Sequence, residues 1–104
     1  MTRLVFTWDE TKNRSNRKNH KISFETAARV FDDPFHLSEQ DRIEDGEERW
    51  QTLGQVGDVT LLLVAHTVAQ EDPGEGSGDE PVEVIRIISA RKAERHERRH
   101  YEEG

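Results

Sequence analysis

The sequence predicts an α+β fold: one domain, with a small antiparallel sheet, two N-terminal helices and one C-terminal helix. Three observations carry this. Blocks rich in β-branched and aromatic residues near 3–7, 48–55, 59–68 and 82–88 read as strands. Phe24, Ala27, Ala28 and Phe31 recur at helical spacing and form one apolar face. The later strands are close in sequence, which favours antiparallel neighbours with helices packed on them. A chain of 104 residues has room for a single core.

Each element has a local reason. Residues 3–7 form a first strand, and Asp9 caps a polar helix running to about Asn19. His20, Lys21 and Ile22 break it, and Ser23 caps the second helix. That helix ends before Pro34, because the residue preceding a proline is pushed out of the helical region. Phe35 to Leu37 form a short strand, and residues 38–47 read as an acidic turn region. Residues 48–55 and 59–68 are strands joined by a hairpin turn at Val56-Gly57-Asp58, the second apolar enough to be buried on both faces. Residues 70–81 hold no apolar side chain and predict a mobile acidic loop. In the last strand, 82–88, Val84, Arg86 and Ile88 take one face and Ile85 and Ile87 the other. Ser89 is then expected to cap a basic helix from Ala90 to about Glu102.

The formal net charge of −7 is unevenly spread: residues 1–31 carry +4, residues 32–83 carry −13 and residues 84–104 carry +2. Both basic segments lie at the chain ends, so a fold that joins the ends would create one basic face. Without cysteine there is no disulfide scaffold, thiolate zinc site or cysteine nucleophile. No apolar run reaches the roughly 20 residues that cross a bilayer, and the N-terminus lacks the pattern of a signal peptide. A cytoplasmic protein is expected, with no membrane partner.

His96-Glu97-Arg98-Arg99-His100 matches the zinc-hydrolase pattern H-E-x-x-H. A catalytic zinc needs a third protein ligand and only four residues remain after His100, three arginines flank the supposed dication, and no apolar wall excludes water. A solvated helix face is the better account, and no metal or cofactor is expected. A second set is Glu48, Arg49, Arg86, Arg91, His20 and His66, with Lys12, Arg17, Lys18, Ser89 and Lys92 as candidate RNA contacts. Arg86 interrupts an apolar strand, so it either pairs with an acid, for which Glu48 is the candidate, or points into a functional groove. His66 likewise interrupts an apolar run, as a hydrogen-bonded structural residue or as a catalyst. The set suits metal-independent RNA cleavage, in which Glu or His moves protons, arginines stabilise the phosphorane and the 2′-OH is the nucleophile.

The motifs, in order, are F-x-W-D-x-x-K-N-x-x-N (Phe6 to Asn16), K-x-H-x-I-S-F-E-x-A (Lys18 to Ala27), V-F-D-D-P (Val30 to Pro34), G-E-x-R-W (Gly46 to Trp50) and R-I-I-S-A-R-K-A (Arg86 to Ala93). Together they resemble the BrnT family, toxins of bacterial type II toxin–antitoxin pairs, over nearly the whole chain. The resemblance implies a ribonuclease with a compact RelE-like fold. It also implies a heteromeric complex with a BrnA-type ribbon-helix-helix antitoxin, and operator DNA bound through that antitoxin. Two departures stand out: the acidic insertion at 69–81, and Lys21 where a glycine is usual. With the acidic balance, the insertion supports an alternative, a catalytically silent member acting as an antitoxin-binding co-repressor.

Overall fold

The computed structural model describes residues 2–58, 60–72, 74, 76, 78 and 80–104. Strand β1 (Arg3–Trp8) leads to α1 (Glu10–His20) and α2 (Phe24–Ala27), which tightens into a 3-10 turn (Ala28–Asp32). Strands β2 (Leu37–Glu44), β3 (Glu47–Val56), β4 (Thr60–Glu71) and β5 (Val82–Lys92) follow, then α3 (Arg95–Glu103). The sheet order is β1-β5-β4-β3-β2. Strand β1 runs parallel to β5 while β2 to β5 are antiparallel, so the sheet is mixed and not antiparallel throughout. Short links constrain only the strands they join; β1 finds its partner through long-range burial.

Helix α1 starts where Asp9 accepts hydrogen bonds from the Thr11 and Lys12 amides. It ends at Lys21, whose φ of 62° is left-handed, a conformation that glycine adopts at less cost. Ser23 caps α2 through the Thr26 amide. Because the chain tightens after Ala27, the helical phase slips: Phe24, Ala27 and Val30 are fully buried, while Ala28 and Phe31 are only partly so.

Residues 38–47 are not an acidic turn. They supply most of β2 and a two-residue turn at Asp45-Gly46, both at positive φ (52° and 77°), the geometry that matches the twist of a hairpin. An exposed edge strand tolerates charge, which hid it as a strand. Strand β4 continues through Ala69, Gln70 and Glu71, paired with Val84, Glu83 and Val82, so the predicted loop loses its first two residues to the sheet. The rest of the predicted mobile loop, 72–81, lies partly outside the described residues.

Strand β5 does not stop at Ile88. Ser89 pairs with Ala65 and Ile87 with His66, so one residue is inserted at Ile88 and the strand carries on to Lys92. Ser89 therefore lies within a strand and caps nothing. Helix α3 is capped instead by Glu94, in a reciprocal box with Glu97. The bulge shifts the side-chain phase, so Ala90 joins Ile85 and Ile87 on the buried face.

Helices α1 and α2 and the 3-10 turn cover one face of the sheet, over Leu62, Val64, Ile85 and Ile87. Helix α3 covers one end of the other face, where Leu53, Leu61 and Leu63 meet Ala93 and Tyr101. Asp33 ties the two layers together: its carboxylate accepts from the Tyr101 hydroxyl and the Gln55 and Phe35 amides. Burial raises the Asp33 pKa, but these hydrogen bonds outweigh it and hold the carboxyl below its ordinary value. No helix among the described residues is long and apolar enough to cross a membrane.

Candidate functional site

The part of the second face beyond α3 is open. Trp50 pairs with His66 and Thr67 with Arg86, so Arg49, Thr67 and Arg86 stand side by side on β3, β4 and β5. Glu47 lies between the two guanidinium groups. Its Oε1 accepts from Arg86 Nη2 at 2.5 Å and is 3.5 Å from Arg49 Nε. Arg49 is the more enclosed, its side chain 22% exposed against 45% for Arg86. Glu48, the predicted partner of Arg86, is not its partner. Strand pleating sends 47 and 49 to this face and 48 to the other, where it is exposed.

Further along β5, Ser89 is exposed and Arg91 forms a two-pronged pair with Glu97 at 2.8 and 2.9 Å. The Glu97 hydrogen bond raises the Arg91 pKa, and the Arg91 hydrogen bond lowers that of Glu97. Beneath α3 lies a groove of about 220 Å³ whose lining includes Glu39, Gln51, His96, Glu97 and His100. Here the H-E-x-x-H pattern meets the sheet. Glu97 is engaged by Arg91 and by the Glu94 amide, so it is not free to polarise a water. Among the described residues no three His, Asp or Glu side chains converge on a metal position.

His66 faces the opposite way. It is 1% exposed, its Nε2 lies 2.7 Å from Thr52 Oγ1, and its ring meets Phe31 edge-on at 5.1 Å. Burial pushes its pKa down to about 4. The fold thus holds neutral imidazole, while the unfolded chain takes up a proton near 6.5. The resulting stabilisation is complete above pH 6.5 and is lost as pH falls through 4, about 3 kcal/mol in all. Urea titrations across that range should show the loss in the parent, and His66→Gln should flatten it. An equal slope in both would remove His66 as the cause.

Lys12, Arg17, Lys18 and His20 are exposed on α1, across the sheet from Arg49 and Arg86, and Lys92 is exposed near the end of β5. The predicted set is therefore divided: Arg49, Arg86 and Ser89 share the open part of the second face, Arg91 lies on the same face at the edge of α3, and the others do not. Glu47 and Glu39 were missed, although strand alternation around Arg49 carried the signal for Glu47. Asn13 and Asn16, which close the first of the motifs, are buried and serve the fold. Asn13 accepts from the Phe24 amide and donates to Glu25, while Asn16 bonds Ile22 and Ala90.

A family model described as the ribonuclease toxin BrnT of type II toxin–antitoxin systems matches residues 8–97. Among solved structures, the chain is similar to the 1.1 Å crystal structure of the Brucella abortus ribonuclease toxin, BrnT. The two are 18% identical with a TM-score of 0.56, over 91% of this chain and 99% of that one. At that identity the likeness speaks for the fold alone. No curated protein matches the chain.

Proposed function

Since the chain belongs to the BrnT family of type II toxin–antitoxin ribonuclease toxins, we propose that its open sheet face cleaves RNA without a metal ion. The supporting observation is the Arg49–Glu47–Arg86 cluster, two cations held a carboxylate's width apart on an uncovered face. An incoming phosphodiester replaces Glu47 between the guanidinium groups. The ribose 2′-OH attacks phosphorus, and the two arginines take up the charge that grows on the phosphorane. The P–O5′ bond then breaks, leaving a 2′,3′-cyclic phosphate and a 5′-hydroxyl. Ser89 and Arg91 extend the same face along the RNA backbone.

A toxin of this family is expected to have an antitoxin, and we assign a BrnA-type ribbon-helix-helix protein, which would carry the complex to operator DNA. RNA as substrate places the action in the cytoplasm. One observation favours a silent, antitoxin-binding member: Arg86 and Arg91 are each already paired with a carboxylate. Digestion of RNA in excess EDTA separates the two. The parent should cleave and leave cyclic phosphate ends, and Arg86→Ala should be slower by about 10²–10³-fold. Cleavage undiminished by Arg86→Ala would remove the cluster from the site, and no cleavage by the parent would favour the silent reading.

A further inference from the structure

We propose that the groove under α3 supplies the proton-transfer groups for RNA held at its border with the arginine cluster, with His100 as the base and His96 as the acid. This rests on the ribonuclease reading above. Cleavage through the 2′-OH needs two proton-transfer groups flanking one phosphorus, and the arginines cannot supply them, because a guanidinium does not give up its proton in a protein. Of the five histidines, His66 is enclosed in the core, His20 ends α1, and His36 stands against Phe31 on the helix-covered side. His96 and His100 line the groove on the open face.

The two lie one turn apart on α3, so their Cβ atoms are about 6 Å from each other, a separation that lets the rings flank one phosphate. His100 Nε2 is 2.7 Å from Glu39 Oε1. A carboxylate only accepts, so Nε2 carries the hydrogen, and in the neutral ring the lone pair is then on Nδ1. A carboxylate fixes the tautomer of a catalytic imidazole in the same way. His96 Nδ1 faces Glu94 at 3.6 Å, which leaves its Nε2 for the substrate. The Arg91–Glu97 pair fastens α3 to the end of β5 beside the groove that both histidines line. Gln51 in the groove is two residues from Arg49 on β3, about 7 Å along the strand. The arginine cluster therefore borders the groove.

In the reaction His100 Nδ1 takes the 2′-OH proton as O2′ bonds to phosphorus, and protonated His96 gives its proton to O5′ as the P–O5′ bond breaks. Exchange with water then restores both rings. Glu39 acts through His100 and is a positioning residue.

The test uses an RNA dinucleotide and its analogue with sulfur as the bridging 5′ atom, whose leaving group needs no proton. Each is cleaved in EDTA by the full-length chain and by variants whose melting temperatures match the parent. His100→Ala should lose about 10²–10⁴-fold on both substrates. His96→Ala should lose as much on the RNA but stay near the parental rate on the sulfur analogue. Glu39→Gln should lower kcat and leave KM unchanged. Either histidine variant cleaving RNA at the parental rate would overturn the proposal, as would sulfur rescue of His100→Ala instead of His96→Ala. A parent that cleaves neither substrate overturns the ribonuclease reading and this proposal with it. A parent that cleaves beside active histidine variants overturns this proposal alone.

Discussion

Gly54→Ala is expected to cost about 3 kcal/mol or more, a large share of the roughly 5–15 kcal/mol that holds a typical domain folded. Gly54 is buried in the middle of β3, where the 3-10 turn after α2 presses onto the sheet. A Cβ there would stand 2.6 Å from Val30 Cβ, 2.7 Å from the Val30 carbonyl oxygen and 2.9 Å from Val30 Cα. Two of the three atoms are backbone, so no rotamer change relieves the clash; the turn must lift from the sheet. Lifting it would also pull Asp33 away from the Gln55 amide and the Tyr101 hydroxyl, loosening α3 on the far face. Urea unfolding followed by circular dichroism should show a midpoint far below the parent's. A midpoint within a few tenths molar of the parent's would mean that the turn is not seated on β3. Gly57→Ala is a useful contrast, since nothing lies within 4 Å of its Cβ and only the φ of 70° opposes it.

Local signals were legible where one residue decides the outcome. Asp9 and Ser23 cap helices because their side chains reach amides two or three residues on, and Pro34 stops the helical region for a purely local reason. Alternation in 82–88 placed Arg86 opposite Ile85 and Ile87, as observed. What failed depends on distant partners. Strand β2 is almost wholly exposed and charged, and only pairing with β3 makes it a strand. The bulge at Ile88 extends β5 through Ser89-Ala90-Arg91-Lys92, a stretch whose composition suits a helix equally well. The exchange of Glu47 for Glu48 followed from judging charge without pleat. His66 shows the limit in the site itself: the same residue in the same apolar run could face either side of the sheet, and the packing of Phe31 and Thr52 decides that it is a core histidine.

Asn16→Ala is the second large effect, expected at about 3–5 kcal/mol, because the Asn16 amide stands in for a missing strand. Strand β1 pairs with β5 only as far as Trp8 and Ile87. Beyond that point the edge of β5 away from β4 has no strand beside it, and Asn16 satisfies the buried Ala90 backbone there from α1. Its Nδ2 donates to the Ala90 carbonyl at 2.9 Å and its Oδ1 accepts from the Ala90 amide at 3.1 Å, as a peptide group of an adjacent strand would. The same Nδ2 donates to the Ile22 carbonyl. Alanine leaves three buried backbone groups unpartnered, each costing about 1–3 kcal/mol. Asn16→Asp should be worse at neutral pH than alanine despite its matching shape, because a carboxylate aimed at two carbonyls replaces two donations with repulsion. Urea midpoints for the two variants give the order directly, and an alanine variant within 1 kcal/mol of the parent would show that Ala90 finds another partner. The effect also reaches the open face. Ser89 and Arg91 flank Ala90, so slackening this point frees the end of β5 that holds Arg91 against Glu97 and, through it, α3. RNA cleavage by Asn16→Ala should therefore fall more than the folded fraction does, although Asn16 lies across the sheet from the substrate.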